Sequence, residues 1–170
     1  MKIFKMGAKT YFFLTIFAVV SSVAFYFAYM SSTGKISFQF KIGDASANLF
    51  ICVLFLLVAL SHLTSFIVVL ANIFKNKGVA LKLDANGIHN TFVFVMFGAA
   101  MLVLPVKEIP WVAVKEIKTE RGVCALRVDS DMIEANILAK KFLKSQSFMC
   151  GQPFVKSAVT AEDIRQFRNE

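Results

Sequence analysis

Two stretches of this chain, residues 11–30 and 49–74, contain no Asp, Glu, Lys or Arg, and the remaining sequence is arranged around them. A hydrocarbon core of about 30 Å is crossed by about 20 apolar helical residues, so either stretch is long enough to span it. The connector between them, 31–48, is short, which predicts a helical hairpin. After residue 78 the pattern changes. Val79, Leu81 and Leu83 alternate with Ala80, Lys82 and Asp84, the signature of a half-buried strand. Asn86-Gly87 then predicts a tight turn, because both residues tolerate positive φ. A second strand begins at Ile88 and runs to Phe97, is interrupted at Gly98, and resumes at Met101. The uncharged run 92–106 is too short, too β-branched and aromatic, and too broken by Gly98 and Pro105 for a third span. It predicts strand, turn and strand with an apolar tip, whose residues are read first as core and otherwise as dipping into a bilayer or covering a neighbour.

Further along, Trp111, Val114 and Ile117 are three apart, so the chain bends there, with Trp111 as a core anchor. Cys124, Leu126 and Val128 share one face of a strand over 123–128, and Asp129 to Asp131 turns the chain. Residues 136–144 read either as a strand pair or as a short helix. A last strand over 151–159 leads into Thr160 and Asp163, spaced as a capping box, with Val159 and Ile164 at staple positions. Ile164 and Phe167 give the resulting C-terminal helix its apolar face. The connector carries a weaker signal, an alternating run over 35–42 that predicts a short strand.

Composition sharpens the membrane reading. The chain is 57% hydrophobic, with 19 Phe among 170 residues, beyond the usual share for soluble domains. The net charge is +8, yet residues 85–170 hold eleven bases against nine acids, too even a balance for a nucleic-acid surface. The excess flanks the apolar stretches: Lys2, Lys5 and Lys9 before the first, Lys75 and Lys77 after the second. That asymmetry predicts both termini in the cytoplasm, the connector outside, and contact with anionic lipid. A basic start followed by an apolar run with small residues at Ser22 and Ala24 imitates a secretory signal. The apolar run continues through residues 25–30, so an uncleaved span is expected. The domain plan is then a basic N-terminus (1–10), two spans (11–30 and 49–74) around the connector 31–48, and a cytoplasmic domain over 78–170.

Candidate chemistry is sparse. His62 stands at the centre of the second span, level with Ser21 and Ser22 in the first. These three form a candidate intramembrane polar contact, read as packing in preference to a proton relay because neither span holds a carboxylate. Small residues recurring four apart (Ala18 and Ser22, Ala24 and Ala28, Ser61 and Ser65) predict close helix packing or a dimer face, which leaves homo-oligomerisation open. Lys140, Lys141 and Lys144 are the one local base cluster of the C-terminal domain. They are read as a solvated face, with anionic-lipid contact as the functional alternative. Cys52, Cys124 and Cys150 are scattered, which argues against a disulfide framework. His89 is expected at the surface without an acidic partner. Asp129 and Asp131 begin like a calcium loop, but Ile133 and Glu134 break the spacing. No phosphate loop, nucleophile elbow or zinc motif is present in the sequence, so neither catalysis, metal nor cofactor is expected.

The order Leu81, Gly87-Ile88, Ile109-Pro110-Trp111 with Ile117, and then Gly151-Gln152-Pro153-Phe154-Val155 before a capped helix resembles small bacterial inner-membrane proteins that join a two-helix hairpin to a bacterial pleckstrin-homology (PH)-like domain. The resemblance implies a membrane α-helical hairpin plus an α+β domain, a PH-like antiparallel half-barrel with one C-terminal helix. It brings no catalytic residues. An acidic residue often follows the Trp by two in that family; here Ala113 stands there, which weakens any polar role at that position. The expected function is a non-enzymatic, membrane-anchored interaction protein with lipid and a protein as partners. The alternatives are an immunity protein against a membrane-acting or periplasmic toxin and, more weakly, a small transporter or channel subunit built around His62.

Overall fold

Both apolar stretches fold as helices slightly longer than their uncharged cores: α1 (Ala8–Ser32) and α2 (Ala47–Lys75). The computed structural model describes residues 1–36, 41–42, 45–120, 123–150 and 153–168. The residues that α1 buries are Thr10, Leu14, Phe17, Ser21, Ala24, Ala28 and Ser31, in alternating steps of four and three. That is the spacing of a left-handed helix–helix seam, and α2 answers it with Ala59, His62, Ser65 and Val69. Of the predicted small-residue pairs, Ala24 and Ala28 lie on the seam, whereas Ala18 and Ser22 face outward. The outer faces remain apolar, with Phe12, Val19 and Tyr26 exposed on α1 and Leu57, Leu60, Ile67 and Phe74 on α2. Only 28% and 22% of the most apolar windows of the two helices are buried, too little for core helices of a water-soluble fold. Lys41–Ile42 (β2) and Ala45–Ser46 (β3) pair in the connector; residues 37–40 of the strand expected over 35–42 lie outside the described residues.

The remaining chain forms two open antiparallel sheets. β1 (Lys2–Lys5), β4 (Val79–Leu83), β5 (Gly87–Phe97), β6 (Ala100–Pro110) and β9 (Glu134–Ala135) make a five-stranded sheet in that order. β7 (Val114–Glu120), β8 (Val123–Val128) and β10 (Phe148–Met149) make the second, with β8 in the middle. Two short helices complete the fold, α3 (Ile137–Ser145) and α4 (Ala161–Arg168). Residues 136–144 are therefore helical, and Asn136 starts the helix by accepting from the Ala139 amide. At α4 the capping box forms reciprocally: Asp163 N–H donates to Thr160 Oγ1, and Thr160 N–H donates to Asp163 Oδ2.

Three local expectations change. Residues 1–10 are more than a basic flank, because β1 is the edge strand of the larger sheet, with Phe4 opposite Leu81 and buried. The 84–87 turn does not use positive φ at Asn86 or Gly87. Its glycine serves close approach instead, since a Cβ on Gly87 would stand 2.3 Å from the Ile109 carbonyl oxygen. The strand expected over 151–159 reduces to one bridge between Val155 and Met6, with Gly151 and Gln152 outside the described residues.

Helices and sheets share one core. Leu14, Phe17 and Val69 belong to the same buried cluster as Leu81, Val93, Val103, Leu126 and Phe154. Phe154 is its hub, with ring centroids 5.0 Å from Phe94, 5.3 Å from Phe92 and 6.0 Å from Phe13. The helices are thus packed against the sheet domain along their lower halves, those nearest residues 8 and 75.

Candidate functional site

The sequence singled out the mid-helix polar residues. Ser21 and His62 are both buried at one depth of the hairpin. Ser21 Oγ donates to the Ala59 carbonyl at 3.0 Å, one turn from the imidazole. His62 turns Nδ1 to its own helix, 2.9 Å from the Val58 carbonyl and 3.3 Å from Ser61 Oγ, and its ring meets Phe17 edge-on at 6.0 Å. Ser22 faces away and donates to the Ala18 carbonyl. The three residues therefore form no polar chain among the described contacts. Both serine hydroxyls and Nδ1 of His62 engage helix carbonyls, as polar groups in an apolar helix pair tend to do.

Ser65 is the residue that joins helix to sheet. Its hydroxyl accepts from Val103 N–H at 2.9 Å and lies 3.0 Å from the Met101 carbonyl and 2.8 Å from the Ser61 carbonyl, to either of which it donates. Met101 and Val103 thus turn their backbone groups away from β5 and toward α2. By the two-residue period of a strand, Pro105 shares that orientation, so its missing N–H removes no bond to β5. Ser61 and Ser65 had the right spacing for helix packing, but nothing in one sequence tells that the partner is a strand edge.

At the far end of β6, Asp84 gathers four partners. Its carboxylate bonds Lys82 Nζ at 2.9 Å, His89 Nε2 at 2.9 Å and the Asn86 N–H at 3.0 Å, and its carbonyl accepts from Trp111 Nε1 at 2.9 Å. Lys82 holds the carboxyl well below the usual carboxylate range, and His89 and the Asn86 amide add to the effect. His89, expected without an acidic partner, instead stands between Asp84 and Glu108, the latter 4.0 Å from Nδ1. Trp111 is half-buried in a short 3-10 turn (Trp111–Ala113) and ties the β4–β5 turn to the β6–β7 turn.

Lys140, Lys141 and Lys144 all lie on α3, with Lys141 and Lys144 exposed and Lys140 half-buried. Lys144 lines an open cleft of about 660 Å³ with Lys115, Arg127 and Asp129. There Lys115 bonds Asp129 at 2.8 Å and, with the Asp131 N–H, lowers its pKa. Cys124 and Cys150, scattered in sequence, meet across β8 and β10: both are fully buried, and Cys150 N–H donates to the Cys124 carbonyl at 2.9 Å. Burial pushes the Cys150 thiol up, while the contact with Cys150 lowers that of Cys124, and both cysteines are free. The register of two short strands brings them together, which spacing alone does not reveal. Among the described residues no group of three or more His, Cys, Asp or Glu side chains stands together as a metal site.

No protein-family model matches this chain, and no curated protein or solved structure is significantly similar to it.

Proposed function

We propose that this chain is a non-enzymatic, membrane-anchored binding protein of the bacterial inner membrane, with both termini cytoplasmic and a PH-like sheet domain docked against its own anchor. The observation that carries the reading is the continuity of α1 and α2 with the sheets. The outward faces of the helices are mostly apolar and carry no charged side chain within residues 11–30 and 49–74, while their lower inner faces belong to the domain core. The flanking Lys2, Lys5, Lys9, Lys75 and Lys77 stand at the domain end, which the positive-inside rule assigns to the cytoplasm. Two open antiparallel sheets followed by a capped helix support the PH-like expectation; β1 from the N-terminus and α3 before β10 are this chain's own additions.

Alkaline carbonate extraction and cysteine accessibility in intact bacterial cells test the reading. The expected result is retention in the membrane pellet, a cysteine at Lys35 labelled from outside, and cysteines at Lys2 and Glu162 shielded until lysis. Release by carbonate, or labelling of position 2 in intact cells, would overturn it.

A further inference from the structure

Between the last two turns of α2 and the five-stranded sheet lies a cleft of about 520 Å³ whose chemistry changes along its length. Val68, Ala71 and Pro105 line it with apolar surface, and Lys75 stands seven residues beyond Val68. At 1.5 Å per residue that is about 10 Å along the helix axis, the distance from the edge of an acyl region into a headgroup layer. Two polar atoms in its walls are buried and unpaired within the protein: Asn72 Oδ1 on α2 and Thr91 Oγ1 on β5. Thr91 as a whole is 1% exposed, so water reaches it only through the cleft. A buried polar atom without a partner is unfavourable, and sites that keep one are sites where something else supplies the bond.

The charges at the mouth favour an anion. Lys107 is engaged by Glu134 at 2.5 Å, which raises the lysine's pKa and cancels one positive charge. Lys75 has no acidic partner among the described residues, which leaves the mouth net positive. α3 also begins there: Asn136, its N-cap, lines the cleft, so the amide end of that helix adds positive potential.

We infer that this cleft binds one anionic glycerophospholipid of the adjacent leaflet. The acyl chains leave along Val68, Ala71 and Pro105, the glycerol and ester region meets Asn72 and Thr91, and the phosphate faces Lys75. The inference rests on the membrane placement proposed above and names the ligand class that this placement serves. A free phosphate shares the anion but has no use for the apolar end; a lipid uses both.

Full-length protein purified in a nonionic detergent decides the matter, read by thermal unfolding and native mass spectrometry with added phosphatidylglycerol, phosphatidylcholine or inorganic phosphate. Phosphatidylglycerol is expected to raise Tm by several degrees and to remain bound as one molecule per chain. Thr91→Val and Asn72→Leu are expected to hold or raise the lipid-free Tm, because each removes an unpaired buried atom, while the lipid-induced shift falls at least threefold. Lys75→Gln should erase the preference for phosphatidylglycerol over phosphatidylcholine. An unchanged lipid shift in Thr91→Val, a lower lipid-free Tm in that variant, or a shift reproduced by phosphate alone would each overturn the assignment. Absence of any lipid shift in a protein that survives carbonate extraction defeats the cleft and leaves the membrane reading standing. Release by carbonate defeats the membrane reading itself.

Discussion

Single side chains in this protein serve mostly to close backbone accounts, and Ser65 is the clearest case. One hydroxyl serves Val103 N–H and the Met101 carbonyl on a strand edge that no other strand covers among the described residues. Ser65→Ala leaves both groups without that partner, and the expected loss is about 1–3 kcal/mol, seen as a Tm lowered by several degrees in detergent. Thr64→Ala is the matched control: its hydroxyl is exposed and bonds only its own helix at Leu60, so its Tm should hardly move. Asp84 gives a pH signature. Lys82 lowers its folded pKa below the unfolded value near 3.8, so its contribution to stability is fully present above that value and is lost as pH falls below about 4. Denaturant midpoints for Asp84→Asn should be lower than the parent's at pH 7, and the gap should narrow progressively as pH falls from about 4 toward 2. A constant difference across that range would remove Asp84 from the acid transition. At Gly87 the carbonyl of Ile109 excludes any Cβ, so Gly87→Ala should cost more than 1 kcal/mol, measured in the same denaturant series.

Elements were legible from the sequence in proportion to how much of their stabilisation is local. α1, α2, β4 and α4 have period, length or caps written into consecutive residues, and all four appear where the pattern places them. β1 was missed because three of its four residues are exposed; Lys2 to Lys5 with only Phe4 buried reads as a basic flank. α3 was ambiguous because Ala139 and Leu143, four apart, are the only fully buried positions in nine residues; the Asn136 cap decides it. The 153–156 segment was read as a strand because Phe154 and Val155 are apolar, yet its partners are remote. Gly7 N–H and Thr10 Oγ1 both donate to the Phe154 carbonyl, and Lys156 N–H donates to the Lys5 carbonyl. The same non-locality hid the cleft beside Asn72 and Thr91, which are nineteen residues apart and on different elements. Because Phe154 is 1% exposed and touches α1 and β5 together, Phe154→Ala should cost about 3–5 kcal/mol. It should also loosen helix and sheet together, seen as one unfolding transition shifted as a whole.

At the scale of the whole molecule, the β5–β6 hairpin runs beside α2 rather than beneath it, and this sets a depth. Ser65 lies ten residues before Lys75, about 15 Å up the helix and so about half-way through a hydrocarbon core of about 30 Å. Met101 and Val103 are bonded to it there, and the turn at Gly98 lies further still from the Lys75 end. On the membrane reading, the apolar tip therefore reaches at least to the bilayer mid-plane, with Met96 67% exposed toward lipid and its uncharged neighbours explained. Val112, 75% exposed, stands just past the opposite end of β6, eleven residues or about 36 Å along the strand. An environment-sensitive fluorophore on Met96→Cys, in a Cys52→Ser background that leaves only the buried Cys124 and Cys150, should be quenched more strongly by nitroxide placed deep in the acyl chain than by nitroxide on the headgroup. The same fluorophore on Val112→Cys should respond to neither and should be quenched by aqueous iodide. If headgroup nitroxide quenched Met96→Cys as strongly as deep nitroxide, the sheet domain would lie under the bilayer. The lower turns of α1 and α2 would then have to stand in water with Phe12 and Phe74 uncovered, an exposure of apolar surface that the hydrophobic effect opposes at every residue.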